Sequence, residues 1–195
     1  MKKSKPIISL ILVVILLFNL SPLQTHATNI IYMVSVTPVQ QAKSNWCWAA
    51  CSEMAGKTMY SSSSRTQYSV VDHIYGYAPN LMGTLGDVVE GSKYVAYYTR
   101  SFASSYSAWM FSSLENHISQ GKPVTVGLGY YSNGQRIGGH MVVITGTAHV
   151  EDSTGSYWFI YYIDPDDGSG YSKSYSTFCN DNGQIIYDAT VYVSN

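Results

Sequence analysis

Asn45-Trp46-Cys47-Trp48-Ala49-Ala50-Cys51 sets a cysteine at the point where an extended segment, 33–41, gives way to a helix over 47–55. Good helix formers fill that window, and Gly56 is placed to end it. A thiol at a helix N-terminus lies in the positive end of the helix dipole, which favours thiolate, the nucleophilic form. Trp48 and Ala50 can pack the helix down while Cys47 stays at the mouth of a cleft. The rival reading of Cys47 is a buried structural cysteine, a common fate of this residue type. Cys51, one helical turn further in, reads as a core or bridging residue. Zinc on Cys47 and Cys51 would need Cys179 or scattered histidines, none at paired ligand spacing, so no metal is expected.

Three further features extend outward from Cys47. Gln41 precedes it by six residues, and its side-chain amide could join the Cys47 backbone N–H in cradling an oxyanion; Gln40 beside it shows that a surface glutamine is the bland alternative. Downstream, Gly138-Gly139-His140-Met141-Val142-Val143-Ile144 opens a very apolar strand with a histidine. The glycines permit close approach of backbone or substrate, and the strand would hold the ring as a general base must be held. Asp164, in Tyr161-Tyr162-Ile163-Asp164-Pro165, ends the next strand. Adjacent antiparallel strands would bring it to His140, where a carboxylate could orient the imidazole; a turn-opening Asp-Pro is its other reading. Asp166 and Asp167 lie in the turn proper and are poorer candidates for that role. His73, His117 and His149 fit no such pattern and read as structural or solvated.

Around this constellation the chain changes character near its middle. Thr84 with Asp87 forms a capping box for a helix through Val88, Val89 and Tyr94. Ser107 is expected to cap another helix carrying Met110, Phe111, Leu114 and Ile118 on one face, stopped by Gly121 and Pro123. Thereafter 124–130, 139–150, 157–163, 171–178 and 185–193 read as strands, separated by turn signals such as Asn133-Gly134 and Asp181-Asn182-Gly183. Helices followed by strands predict an α+β domain, a helical layer against an antiparallel sheet, with the cleft between them.

At the N-terminus, three lysines precede an apolar run at 7–20, and Thr25-His26-Ala27 offers a small-residue cleavage site. Residues 1–27 are expected to be a signal peptide, because the run is short of the ~20 apolar residues that span a bilayer. Cleavage leaves residues 28–195 as one domain, secreted and without a membrane partner. The net charge of −1 becomes −4 when three of the 11 Lys and Arg leave against 12 Asp and Glu. A mildly acidic domain without a basic stripe argues against nucleic acid as a partner. Three cysteines in an exported protein leave one thiol unpaired. Cys47 is the candidate for it, and a Cys51–Cys179 disulfide stays open.

Together, Gln-Gln, Asn-Trp-Cys-Trp-Ala-Ala-Cys, Gly-Gly-His-Met-Val-Val-Ile and Ile-Asp-Pro resemble the papain-like cysteine peptidases, over almost the whole exported chain. The small bacterial branch, with the staphopains and the peptidases that trim bacteriocin leaders, is the nearer likeness. The resemblance implies a papain-like fold, Cys47 as nucleophile, His140 as base, Asp164 as orienting residue and Gln41 as oxyanion donor. It also implies a protein or peptide substrate, a monomer, and no cofactor. Cys47 and His140 lie 93 residues apart, against roughly 130 or more in plant-type enzymes, so specificity loops are expected to be trimmed. Only 13 residues separate Ala27 from Gln41, so an already competent enzyme is expected, controlled by a separate protein inhibitor or by redox state. Two alternatives remain: a cell-wall amidase or endopeptidase on the same Cys–His pair, and a non-catalytic secreted binding module. The first usually carries an Asp-Cys-Ser start that this chain lacks.

Overall fold

The computed structural model of the protein describes residues 28–194; the expected signal peptide, 1–27, lies outside them. Eight strands form one sheet: β1 (Thr28–Met33), β2 (Phe102–Ser105), β3 (Val124–Ser132), β4 (Gln135–Asp152), β5 (Gly155–Asp164), β6 (Ser169–Ser174), β7 (Asn180–Asp181) and β8 (Ile185–Val193). The main path runs β2-β8-β3-β4-β5-β6, with β1 added to β4 and β7 to β8. Every pairing is antiparallel.

Helices α1 (Cys47–Met59), α2 (Gln67–Tyr75) and α3 (Leu85–Val95) cover one face of the sheet, and α4 (Phe111–Ser119) and α5 (Tyr175–Cys179) the other. Alternation along β4 explains the two layers. Val142 and Ile144 meet Leu114 and Ile118, while Met141 and Val143 meet α1 through Cys51 and Met54. The expected α+β architecture is therefore present, with a second, smaller helical layer behind the sheet. No helix among the described residues is long and apolar enough to cross a membrane.

Several expected elements change. Gly56 does not end α1, which runs on to Met59. A Cβ at Gly56 would lie 2.5 Å from Val95 Cβ, so its glycine serves the close crossing of α1 and α3. Ser107 does not cap α4: Met110 holds that position, and the Ser107 carbonyl instead accepts from Thr190 Oγ1 at 2.7 Å. The stretch 171–178 is a strand only to Ser174, whose hydroxyl caps α5 by accepting from the Thr177 N–H. The first half also contributes two strands: β1 pairs with the far end of β4, and β2 with β8. Both are short segments whose pairing is long-range. By contrast, the Thr84–Asp87 capping box opens α3 as expected. Asn133 and Gly134, at φ 50° and 76°, make the two-residue β3–β4 hairpin that requires positive φ at both positions.

No disulfide forms among the described residues: Cys47, Cys51 and Cys179 are all free. Cys51 packs with Val143 and Ile163 on one face of the sheet, and Cys179 against the cluster on the other. The sheet itself separates them.

Candidate active site

α1 delivers Cys47 as its first residue. Trp46 supplies no side-chain cap and the first turn holds no acidic residue, so the positive helix end is left uncompensated beside the thiol. The flanking tryptophans fix this end. Trp46 and Trp48 are fully buried, and their indole N–H groups donate to Pro79 O at 2.7 Å and Leu81 O at 3.0 Å. Asn45 Nδ2 donates to Asn80 O and the Asn45 backbone N–H donates to Asn80 Oδ1, both at 3.0 Å. Lys43 Nζ reaches Ala78 O at 2.6 Å. Segment 43–48 is thereby strapped to loop 78–81, whose continuation through Met82 and Gly83 forms one wall of a cleft of about 590 Å³.

β4 delivers His140 from the opposite wall. β5 pairs with β4 only over 143–152, so His140 has Leu128 of β3 as a ladder partner and no strand on its other edge. Asp164, the last residue of β5, stands at that opening. His140 Nε2 and Asp164 Oδ1 are 2.7 Å apart, with side chains 9% and 26% exposed. Nδ1 is left for Cys47. Burial alone would lower the His140 pKa, but hydrogen bonding and charge from Asp164 and Cys47 raise it from 6.5 to about 10. Burial likewise disfavours ionised Asp164, yet hydrogen bonds from His140 and from the Asp166 N–H hold it below the ordinary value. Cys51 differs: burial pushes its thiol well above the usual range, with Cys47 and Asp164 adding to the effect. It stays a protonated core thiol.

Gln41 sits in a segment with its own supports. Its N–H donates to Pro165 O at 2.7 Å, and its Nε2 donates to Ser44 O at 3.2 Å, leaving the second amide proton available. Its Oε1 is buried without a hydrogen-bond partner among the described residues. Buried Gln67 clamps both neighbours, accepting from the Ala42 N–H and donating to Gln40 O, each at 2.8 Å. Gln67 is held in turn by Glu53 Oε2, which accepts its N–H at 2.6 Å. The structure thus brings Cys47 and His140 to one cleft with Asp164 bonded to the His140 ring; Gln41 is not one of the lining residues and reaches the cleft through its bond to Ser44, which is.

Other cleft residues were not singled out by the sequence. Between β3 and β8 the register jumps from Gly127↔Ala189 to Leu128↔Tyr187, leaving Asp188 as the bulge residue aimed into the cleft. It binds Arg136 Nε at 3.0 Å and the Tyr131 hydroxyl at 3.2 Å. A Cβ on Gly139 would lie 2.6 Å from Arg136 Nη2, so the glycine before His140 makes room for that guanidinium. Tyr130 lines the cleft over Gly138. Burial raises its pKa, helped by Asp166, Asp164 and Cys47. A bulge and a cross-strand lean have no signature in one sequence. Asp166, set aside as a turn residue, also lines the cleft.

A nitrogen of His140 and oxygens of Asp164 and Asp166 lie within 4.8 Å of one another, the spacing of a metal-ligand group. That donor set fits a cation poorly, because Asp164 Oδ1 already accepts from both the His140 ring and the Asp166 N–H. Among the described residues the remaining histidines have other contacts: His73 pairs with Glu90 at 3.0 Å, while His117 and His149 pack against Trp109 and Trp158.

Among curated proteins, none matches this sequence. Of the solved structures, that of UfSP from C. elegans is similar over 89% of this chain and 35% of its own, with a TM-score of 0.45 and 12% identity; this chain spans about a third of that one. The model of the Peptidase_C39 like family matches residues 33–195, and with that match the chain belongs to this family.

Proposed function

We propose that the protein is a secreted thiol peptidase that hydrolyses peptide bonds with Cys47, His140, Asp164 and Gln41. The observation that carries the reading is the placement of His140: a ring 9% exposed and bonded to Asp164 at 2.7 Å, in the cleft that Cys47 also lines, where both partners favour its charged form. An imidazolium held against a cysteine at a helix N-terminus is a pre-formed nucleophile and acid.

In the first half-reaction Cys47 Sγ attacks the scissile carbonyl carbon. The oxyanion is held by the Cys47 N–H and the free amide proton of Gln41. His140 gives its Nδ1 proton to the departing amine, leaving an acyl-thioester. In the second half-reaction the neutral ring takes a proton from water, which attacks the thioester and releases the acid. Asp164 stabilises the ring charge as it returns. None of these steps draws on a cofactor. Export by cleavage after Ala27 belongs to the same reading and rests on the lysines and the 7–20 apolar run.

The test is hydrolysis of casein and a mixed peptide library by residues 28–195 under reducing conditions, beside Cys47→Ala. Cleavage by the wild type that vanishes in the variant is expected. If the wild type cuts neither substrate but digests purified peptidoglycan, general proteolysis is wrong and the cell-wall reading replaces it.

A further inference from the structure

The charges lining the cleft do not balance. Arg136 and Asp188 neutralise each other at 3.0 Å, and His140 pairs with Asp164. The Asp166 carboxylate lines the same cleft with no cation or side-chain hydrogen-bond donor on it among the described residues. It lies within 4.8 Å of a His140 ring nitrogen and of the Asp164 carboxylate. Nor is it a loose surface acid. Its N–H donates to Asp164 Oδ1 at 3.0 Å, and its carbonyl accepts from Gln40 Nε2 at 3.1 Å. The turn around it is tied by Gln41 N–H to Pro165 O at 2.7 Å and Gly168 N–H to Asp164 O at 2.8 Å. An unpaired carboxylate on a fixed turn, beside the proton donor, is a pre-organised counter-ion for something on the leaving side of the substrate.

We propose that Asp166 makes the leaving-group side of the cleft a subsite for a basic side chain, so that the enzyme cuts immediately before lysine or arginine. This rests on the peptidase reading above. The first residue of the leaving peptide has its nitrogen at His140, and a lysine or arginine side chain is long enough to reach a carboxylate within 4.8 Å of that ring. Tyr130 lines the same cleft as Asp166. A glutamate at that substrate position would set like charges together without a compensating cation.

Matched peptides differing only in the residue after the scissile bond (Lys, Ala or Glu) test this with the full chain, with cut sites read by mass spectrometry. Because Asp166 is exposed, the preference for Lys over Glu is expected to be roughly three- to tenfold in kcat/KM. It should shrink as salt rises from 20 mM to about 500 mM, since screening weakens exposed pairs. Asp166→Asn should remove most of the Lys/Glu ratio, and Asp166→Lys should invert it. The Asp166 side chain makes no hydrogen bond that either variant would break. Cleavage of all three peptides at a ratio unaffected by salt and by both variants overturns this inference and leaves the peptidase reading standing. Cleavage of none of them overturns both.

Discussion

Replacing Asp164 with Asn keeps the shape of the side chain and removes its charge. Its bond to His140 is short, 2.7 Å, and largely screened from water by the burial of both side chains. A hydrogen bond to an ionised partner is worth about 1.5–3 kcal/mol and a neutral one about 0.5–1.5, so the exchange removes about 1–2 kcal/mol of preference for the charged ring. At about 1.4 kcal/mol per factor of ten, the His140 pKa then falls by about one from about 10. The sign follows from a raised value: the imidazolium that serves as acid is complete at neutral pH and is lost as pH rises through about 10. In Asp164→Asn that loss therefore begins about one pH unit earlier. Turnover at neutral pH is expected to fall roughly 5- to 30-fold, because the ring regains its proton from water in deacylation and Asp164 is what stabilises that charge. The assay is kcat/KM from pH 6 to 11 for both proteins, with the His140 ring followed by NMR. An alkaline limb that stays in place and a kcat within twofold of wild type would refute the reasoning, since Asp164 would then hold no charge on the ring.

Gln41→Ala should lower kcat by about 10²–10³ with little change in KM, as loss of one oxyanion donor does; a kcat within twofold would remove Gln41 from the mechanism. Gln67→Leu strands the Ala42 N–H and the Gln40 carbonyl, now bonded at 2.8 Å each, and should cost about 1–3 kcal/mol in urea unfolding. It should also lower kcat, because the segment that carries Gln41 is freed. Gly83→Ala drives a methyl group inside van der Waals contact of the Trp48 indole and should destabilise by about 1–3 kcal/mol; an unchanged urea midpoint would show that the loop yields at no cost. Iodoacetamide should modify Cys47 and spare Cys51, whose thiol is fully buried and held protonated, as peptide mapping would show.

Legibility in the sequence followed the range of the interactions involved. β8 appears at its expected bounds, 185–193, because alternating β-branched and aromatic residues sit between a turn and the chain end. The Asn133-Gly134 hairpin and the Thr84–Asp87 box are decided by backbone chemistry within four residues. The misreadings arise where a partner distant in sequence decides. β1 exists because residues 146–151 of β4 offer it an edge, and Gly56 is a glycine because Val95 crosses there. The same division holds in the site. Cys47 and Asp164 stand at the expected helix start and strand end, whereas His140, expected to open a strand, lies five residues inside β4, because the hairpin at Asn133-Gly134 carries the pairing with β3 back to Gln135. Arg136, Asp188 and Asp166 were not legible, since a bulge, a lean across a strand and the path of a turn bring them into the cleft.

The composition of the Cys47 motif acquires a structural cause from its neighbours. A nucleophile at a helix N-terminus needs that end open to substrate, so the usual capping side chains are excluded from the position before it, and α1 has none. The end must then be held by something that leaves the first N–H groups free. Here the hold is lateral: Asn45, Trp46 and Trp48 spend their side-chain donors on the carbonyls of residues 79–81, while the indoles fill the core between α1, α2 and α3. Each indole buries a large apolar surface and brings one N–H, a pairing that no aliphatic side chain offers. Phenylalanine at 46 or 48 would keep the packing and strand a loop carbonyl. A glutamine would satisfy the carbonyl and leave a hole in the core. The tryptophans on either side of Cys47 therefore belong to the positioning of the thiol as much as to the stability of the fold, since the loop they bind is a wall of the cleft into which that thiol faces.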